Sequence, residues 1–236
     1  MILQGKTALI AGGAGAVGEG IVGAYLDAGA TVLVPSRSQA KLDSLTEALA
    51  ERAEDRLLTM VGHIGSIEGA EAVRAAVLDH FGHLDAVVAS IGGWWQGAPL
   101  VDVDLDSWNQ VLANNLTAHL IAVQHFLPLV ITSAGSYTMI NGGAALTPLP
   151  KSAPISIVAA GQMMMARALA KENENQPVRI HSLLLETPII SRTRPEGPTS
   201  WLTADEVGSF CVRIAAEGHP DGAVIRFRDR SQLATV

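Results

Sequence analysis

Cysteine is all but missing: Cys211 stands alone in 236 residues, so no disulfide can close within the chain. It falls in an apolar helical pattern with Val207, Phe210 and Ile214, the setting of a packed core thiol rather than a nucleophile. Basic charge is short too. Sixteen Lys and Arg against 23 Asp and Glu leave a net charge of −7, and the basic residues are scattered. That excludes a nucleic-acid footprint and an anionic membrane surface, and leaves a small molecule as the expected partner. No apolar run reads as long enough to span a bilayer, and Met1–Lys6 lead straight into a strand without the apolar core of a signal peptide, so the cytoplasm is the expected location. The seven histidines show no ligand spacing with one another or with carboxylates, so no metal is expected. Linkers, internal repeats and low-complexity tracts are likewise missing, while 48% of the residues are hydrophobic. The expectation is one α/β domain over residues 1–236 with a full core.

What is present is organised around Thr7–Gly18, TALIAGGAGAVG, and the amphipathic run to Gly29. Thr7–Ile10 reads as a buried strand, Gly12 to Gly18 as a glycine-dense turn, and Val17, Ile21, Val22, Tyr25 and Leu26 recur at helical spacing. Gly13, Gly15 and Gly18 match G-x-G-x-x-G, a pattern that gains meaning between a strand and a helix. There the backbone turns tightly and the amides at the helix start attract a pyrophosphate.

The remainder alternates. Strands are expected at Thr31–Val34, Leu57–Val61, Asp85–Ser90, Tyr137–Asn141, Arg179–Leu185 and Ala223–Phe227. Helices are expected over Ser38–Ala53, with Lys41 on its polar side, from a Ser66 cap to Phe81, and from Ser107 to Val130 with Asp106 as cap. Two more run from Pro154 to Glu172 and from Thr203 to Glu217, and Thr187–Ser200 is a Pro/Ser/Thr loop. Such alternation implies a Rossmann-type, doubly wound sheet of about seven parallel strands with helices on both faces.

With that order in place the chain resembles the short-chain dehydrogenase/reductase family from end to end. The resemblance rests on Gly12-x-x-x-Ala16-x-Gly18, on Phe81-Gly-His-Leu-Asp85 before a hydrophobic strand, and on Trp108-x-x-x-x-x-Asn114-Asn115-Leu116. Ala166–Ala170 and Gly222–Ile225 extend it. It implies a nicotinamide dinucleotide held by Gly12, Ala16, Val17 and Gly18, by His63 and Ile64 after the third strand, and by Ser90 and Gly92 after the fourth. It also implies subunit contacts through the helices carrying Asn115 and Met163–Met165, hence a dimer or tetramer.

Alignment on those anchors exposes what the family would supply and this chain does not. The family's Tyr-x-x-x-Lys falls on Ile155 and Ala159, its serine on Gly142, its asparagines after the fourth strand on Ala89 and Ser90, and its adenine-contacting aspartate on His63. Its Pro-Gly after the sixth strand becomes Leu185-Glu186. Asn115 alone survives of the tetrad, and it equally suits a structural role in a buried helix. Lys151, about a turn before Ile155, is the one replacement acid in reach, and it equally reads as a solvated loop lysine. The second strand ends Val34-Pro35-Ser36-Arg37 with no acid for a ribose 2′-hydroxyl, so Ser36 and Arg37 favour NADP(H) over NAD(H). Trp94 and Trp95 wall a substrate pocket, occupy it, or pack against the next helix, and Arg192 and Arg194 either meet an anionic substrate or read as solvated loop charges. Three functions follow: an NADP(H)-binding oxidoreductase with a degraded, atypical site; a catalytically silent nucleotide-binding sensor or partner subunit; or a scaffold that has lost the nucleotide.

Overall fold

The computed structural model describes residues 1–220 and 222–235, the last three of these as backbone only. Seven strands, β1 (Thr7–Ala11), β2 (Thr31–Ser36), β3 (Leu57–Val61), β4 (Ala86–Ala89), β5 (Ser136–Gly142), β6 (Arg179–Leu185) and β7 (Val224–Phe227), form one parallel sheet in the order 3-2-1-4-5-6-7. The helices between them are α1 (Gly18–Asp27), α2 (Gln39–Ala48), α3 (Ala50–Ala53), α4 (Ile67–His80), α5 (Leu105–Val111), α6 (Ala118–Thr132), α7 (Ala153–Glu172) and α8 (Ala204–Glu217). This is the expected Rossmann-type, doubly wound sheet.

The strands are apolar on both sides because both sides are covered. Along β1, Ala8 and Ile10 join one core with α1, α2 and α8, while Leu9 and Ala11 join the other with α4, α6 and α7. β2 divides likewise, Val32 and Val34 against Leu33. Strand order reverses between β1 and β4, which pair Ala11 with Ala89, and ligands of such sheets gather at the carboxyl ends on either side of that reversal.

Several boundaries differ from the sequence expectation, each for a local reason. Asp85 stays outside β4 because its carboxylate accepts hydrogen bonds from the Thr7 amide and the Lys6 ammonium, both at 2.9 Å. Burial alone would raise its pKa, but these bonds hold it below the usual carboxylate range. Asp104, not Asp106, caps α5, accepting from the Ser107 amide at 2.8 Å. The long helix expected from Ser107 to Val130 is broken by a π-helical turn over Leu112–Thr117, and the helix expected over Ser38–Ala53 divides between α2 and α3. Contrary to the reading of apolar runs, two helical stretches, Leu105–Thr132 and α7, are long and apolar enough to cross a membrane. α6 and α7 pack against the sheet, and their apolar faces supply its second core. Cys211 is buried as expected, its thiol pushed up to about 12 by desolvation.

Candidate functional site: a cleft at the strand-order reversal

β1 stops at Ala11 because Gly12 turns the chain with φ at +79°, a conformation that costs an L side chain energy, and because a Cβ there would overlap the Ser90 carbonyl. Gly18 lets the start of α1 sit directly on that turn: its Cβ would overlap the Gly12 carbonyl. Gly13 faces the core, where a Cβ would press Val22 and Val34 at 2.9 Å, so Gly12, Gly13 and Gly18 all stand where the turn leaves no room for a side chain.

Outside the turn lies a cleft of about 480 Å³. Gly12 and Gly15 form its floor, Ser36 and Arg37 one wall, His63 and Ile64 another, and Ser90 and Gly92 the edge toward β4. Four residues expected at the nucleotide do not line it. Gly13 and Gly18 are buried beneath the turn, and Ala16 and Val17 belong to the turn's outer side and the helix cap. Sequence reasoning missed Lys41, which α2 brings to the cleft beside Arg37. Neither cation makes an ion pair among the described residues, so both remain available to an anion.

At its far end the cleft reaches Trp94, Trp95, Gln110, Asn114 and Asn115. Asn115 lies in the π-helical turn, its side chain accepting from the Gly93 amide at 2.9 Å and donating to the Val111 carbonyl at 3.0 Å. Gly92, with φ at +122°, is needed here because a Cβ would overlap the Asn115 amide oxygen. The Asn115 carbonyl in turn accepts from Gln162 Nε2 at 2.8 Å. Gln162 was also missed, although it is the one amide on the inward stripe Ile155, Ala159, Gln162, Ala166 of α7. Both ends of Asn115 are thus occupied by the protein itself.

Where the family would place its acid, the surroundings are aliphatic. Ile155, Val158 and Val111 form a small buried cluster, with Trp95, Leu116 and Ala144 packed on it. Asn141, at the end of β5, donates to the Ala159 carbonyl at 2.9 Å and accepts from the Gly142 amide at 2.8 Å. Lys151 does not replace the missing acid. It is exposed in a turn with φ at +59°, its carbonyl accepting from the Gly97 amide, and it does not line the cleft. Tyr137 is fully buried near the start of β5, and burial pushes its hydroxyl up from the ordinary value.

One turn beyond Asn115, His119 is fully buried, its Nε2 3.2 Å from the Ile91 carbonyl and its Nδ1 without a hydrogen-bond partner. Desolvation lowers its pKa to about 4, outweighing that bond. A histidine depressed in the folded state is protonated first in the unfolded chain. Stability is therefore complete above about pH 6.5 and declines as pH falls from there toward 4, by roughly 3 kcal/mol from this group. His181, also lowered by burial, acts in the same direction. Urea unfolding at steps from pH 7.5 to 4.5 should show that decline, and His119→Gln should flatten it; an unchanged slope would refute the assignment.

The loop after β6 is exposed, as expected, and is anchored through Arg192. Arg192 makes a bidentate pair with Glu19 in the first turn of α1, Nε to Oε1 and Nη2 to Oε2 both at 2.8 Å, and reaches Ser44 of α2. Arg194 stays exposed, pairing with Ser191 through the backbone alone.

The family description "short chain dehydrogenase" matches residues 6–193, and the chain belongs to that family. It is 31% identical over 149 residues to cis-1,2-dihydrobenzene-1,2-diol dehydrogenase of Pseudomonas putida, covering 61% of this chain and 53% of that protein. The chain spans about half the length of the first curated relatives it matches. Among solved structures it is similar in fold to a metagenomic short-chain oxidoreductase in complex with NADP (TM-score 0.81, 20% identity, 96% of this chain and 97% of that one). It is equally similar to an NADH-dependent reductase complexed with NAD (TM-score 0.83, 20% identity, 96% and 97%).

Proposed function

We propose that this chain is an NADP(H)-binding oxidoreductase acting on a small molecule without the family's tyrosine acid. The observation that carries the cofactor half is the pair Arg37 and Lys41 at the cleft wall, with Ser36 beside them and no carboxylate among the lining residues. A ribose 2′-hydroxyl calls for an acid at that place, and a 2′-phosphate for cations. The residues fit the dinucleotide: Gly12 and Gly15 admit a pyrophosphate against the backbone, and His63 and Ile64 flank the base end. Bound there, it would supply or accept a hydride. The chain's own residues bind and orient it, and Asn115 holds the Gly92-Gly93 edge in place through the Gly93 amide.

A second reading, a silent nucleotide-binding sensor or partner subunit, draws support from Gln162, which occupies the Asn115 carbonyl, and from the aliphatic cluster at Ile155. Leu120, Ile157 and Met164, exposed on α6 and α7, support a homo-oligomer under either reading. Titration followed by tryptophan fluorescence tests the cofactor. NADPH should bind well ahead of NADH, and Arg37→Ala with Lys41→Ala should weaken NADPH about ten- to hundredfold, as loss of charged hydrogen bonds does, while leaving NADH nearly unchanged. Equal binding of the two coenzymes would overturn the NADP(H) preference. Binding without turnover on any acceptor would favour the silent reading.

A further inference from the structure

Building on the oxidoreductase reading, we propose that the acceptor is a cation with a carbon–nitrogen double bond, an iminium ion, seated on the indole of Trp94 beside Ile155. A neutral ketone that receives a hydride becomes an alkoxide and needs a proton. The polar groups nearest Ile155 cannot supply one. Both ends of the Asn115 side chain are bonded to the backbone, and so are both ends of the Asn141 amide. Ser152 and Ser156 are buried, and an aliphatic hydroxyl is no stronger an acid than the alcohol it would have to protonate. Glu186, beside Gly143, is held by Arg226 through both carboxylate oxygens.

An iminium ion removes the requirement. Its carbon gains a C–H bond to the hydride given by a reduced nicotinamide, the π pair of the C=N bond withdraws onto nitrogen as a lone pair, and the positive charge passes to the oxidised nicotinamide. No proton enters or leaves.

The surroundings favour such a cation in two further ways. Trp94 is exposed at the cleft, while Trp95 lines it and packs on the Ile155 cluster and against Gly97, so Trp94 offers an indole there, and tryptophan is the best of the aromatic partners for a cation. No lysine or arginine lines that end: Arg37 and Lys41 stand at the opposite wall, and the net charge of −7 draws cations in.

The test uses N-methyl-3,4-dihydroisoquinolinium, a permanent cation, with the neutral lactam 3,4-dihydroisoquinolin-1-one as isostere and 1-tetralone as ketone. By fluorescence quenching of the cofactor-free protein, the cation should bind at least about tenfold more tightly than the lactam. Trp94→Ala should weaken it roughly three- to thirtyfold, the range of a cation–π contact, and Trp94→Phe should restore most of that. With NADPH, the cation should be reduced at a rate level from pH 6 to 9, and the tetralone not at all. Equal binding of lactam and cation, or reduction of the tetralone, overturns the proposal. NADPH that binds but is not oxidised by the cation overturns it alone, whereas failure of NADPH to bind overturns the cofactor reading on which it rests.

Discussion

Gly12→Ala will remove nucleotide binding and destabilise the protein by roughly 2–5 kcal/mol. Two costs combine. An alanine at φ +79° pays the left-handed penalty of about 1–2 kcal/mol, and its methyl must displace the Ser90 carbonyl, an overpacking that costs about 1–3 kcal/mol. Ser90 donates its amide to the Ala11 carbonyl at 2.8 Å, so the displacement spreads to the junction of β1 and β4, where the cleft begins. Gly15→Ala is the control: its Cβ would meet only the Gly12 carbonyl, at 3.1 Å, and φ there lies outside the left-handed region, so folding should survive with a change under about 1 kcal/mol. Chemical denaturation paired with NADPH titration reads both effects. A Gly12→Ala protein as stable as the original would mean that the turn relaxes at no cost.

The combination Ile155→Tyr, Ala159→Lys and Gly142→Ser will create ketone reduction where the starting protein has none, by about 10²–10⁴ over background, the usual contribution of a positioned proton donor. Gly142 has room, with the Ala144 amide 4.0 Å from a Cβ placed on it. Ile155 and Ala159 lie on the inward stripe of α7, one turn apart. The gain should stay at the lower end, because Gln162 already holds the Asn115 carbonyl, and adding Gln162→Ala should raise it. NADPH oxidation across a carbonyl panel measures both. No activity in either variant would mean that more than the three side chains has departed from the family's arrangement.

How much was legible beforehand divides along the same line. β3 and β6 coincide with the segments expected from composition, Ser66 caps α4, and Pro154 enters the first turn of α7, because strand runs and caps are written in adjacent residues. The π-helical turn was not legible, since its Asn115 is held by Gly93 and Gln162, far along the chain. Asp104 and Asp106 are equal as caps on paper, and the choice fell to whichever could reach the Ser107 amide. Lys41 is an ordinary surface lysine until the crossing of α2 brings it beside Arg37. Arg192 is exposed as expected, but its pairing with Glu19 of α1, 173 residues away, was not legible.

The order of the strands also decides when the protein acquires its cleft. β1 lies inside the sheet, but one of its two neighbours is β2 and the other is β4, paired 78 positions later through Ala11 and Ala89. A nascent chain that has emerged through Val61 can assemble β1, β2 and β3, three strands of the seven, with the glycine turn hanging at their open edge. Only when β4 docks does the Ser90 carbonyl arrive against Gly12. Such non-local parallel pairing is slow. During synthesis the exposed edge of β1 is therefore a vulnerable seam, and a nucleotide, which needs both sides of it, can stabilise the chain only after the seam has closed.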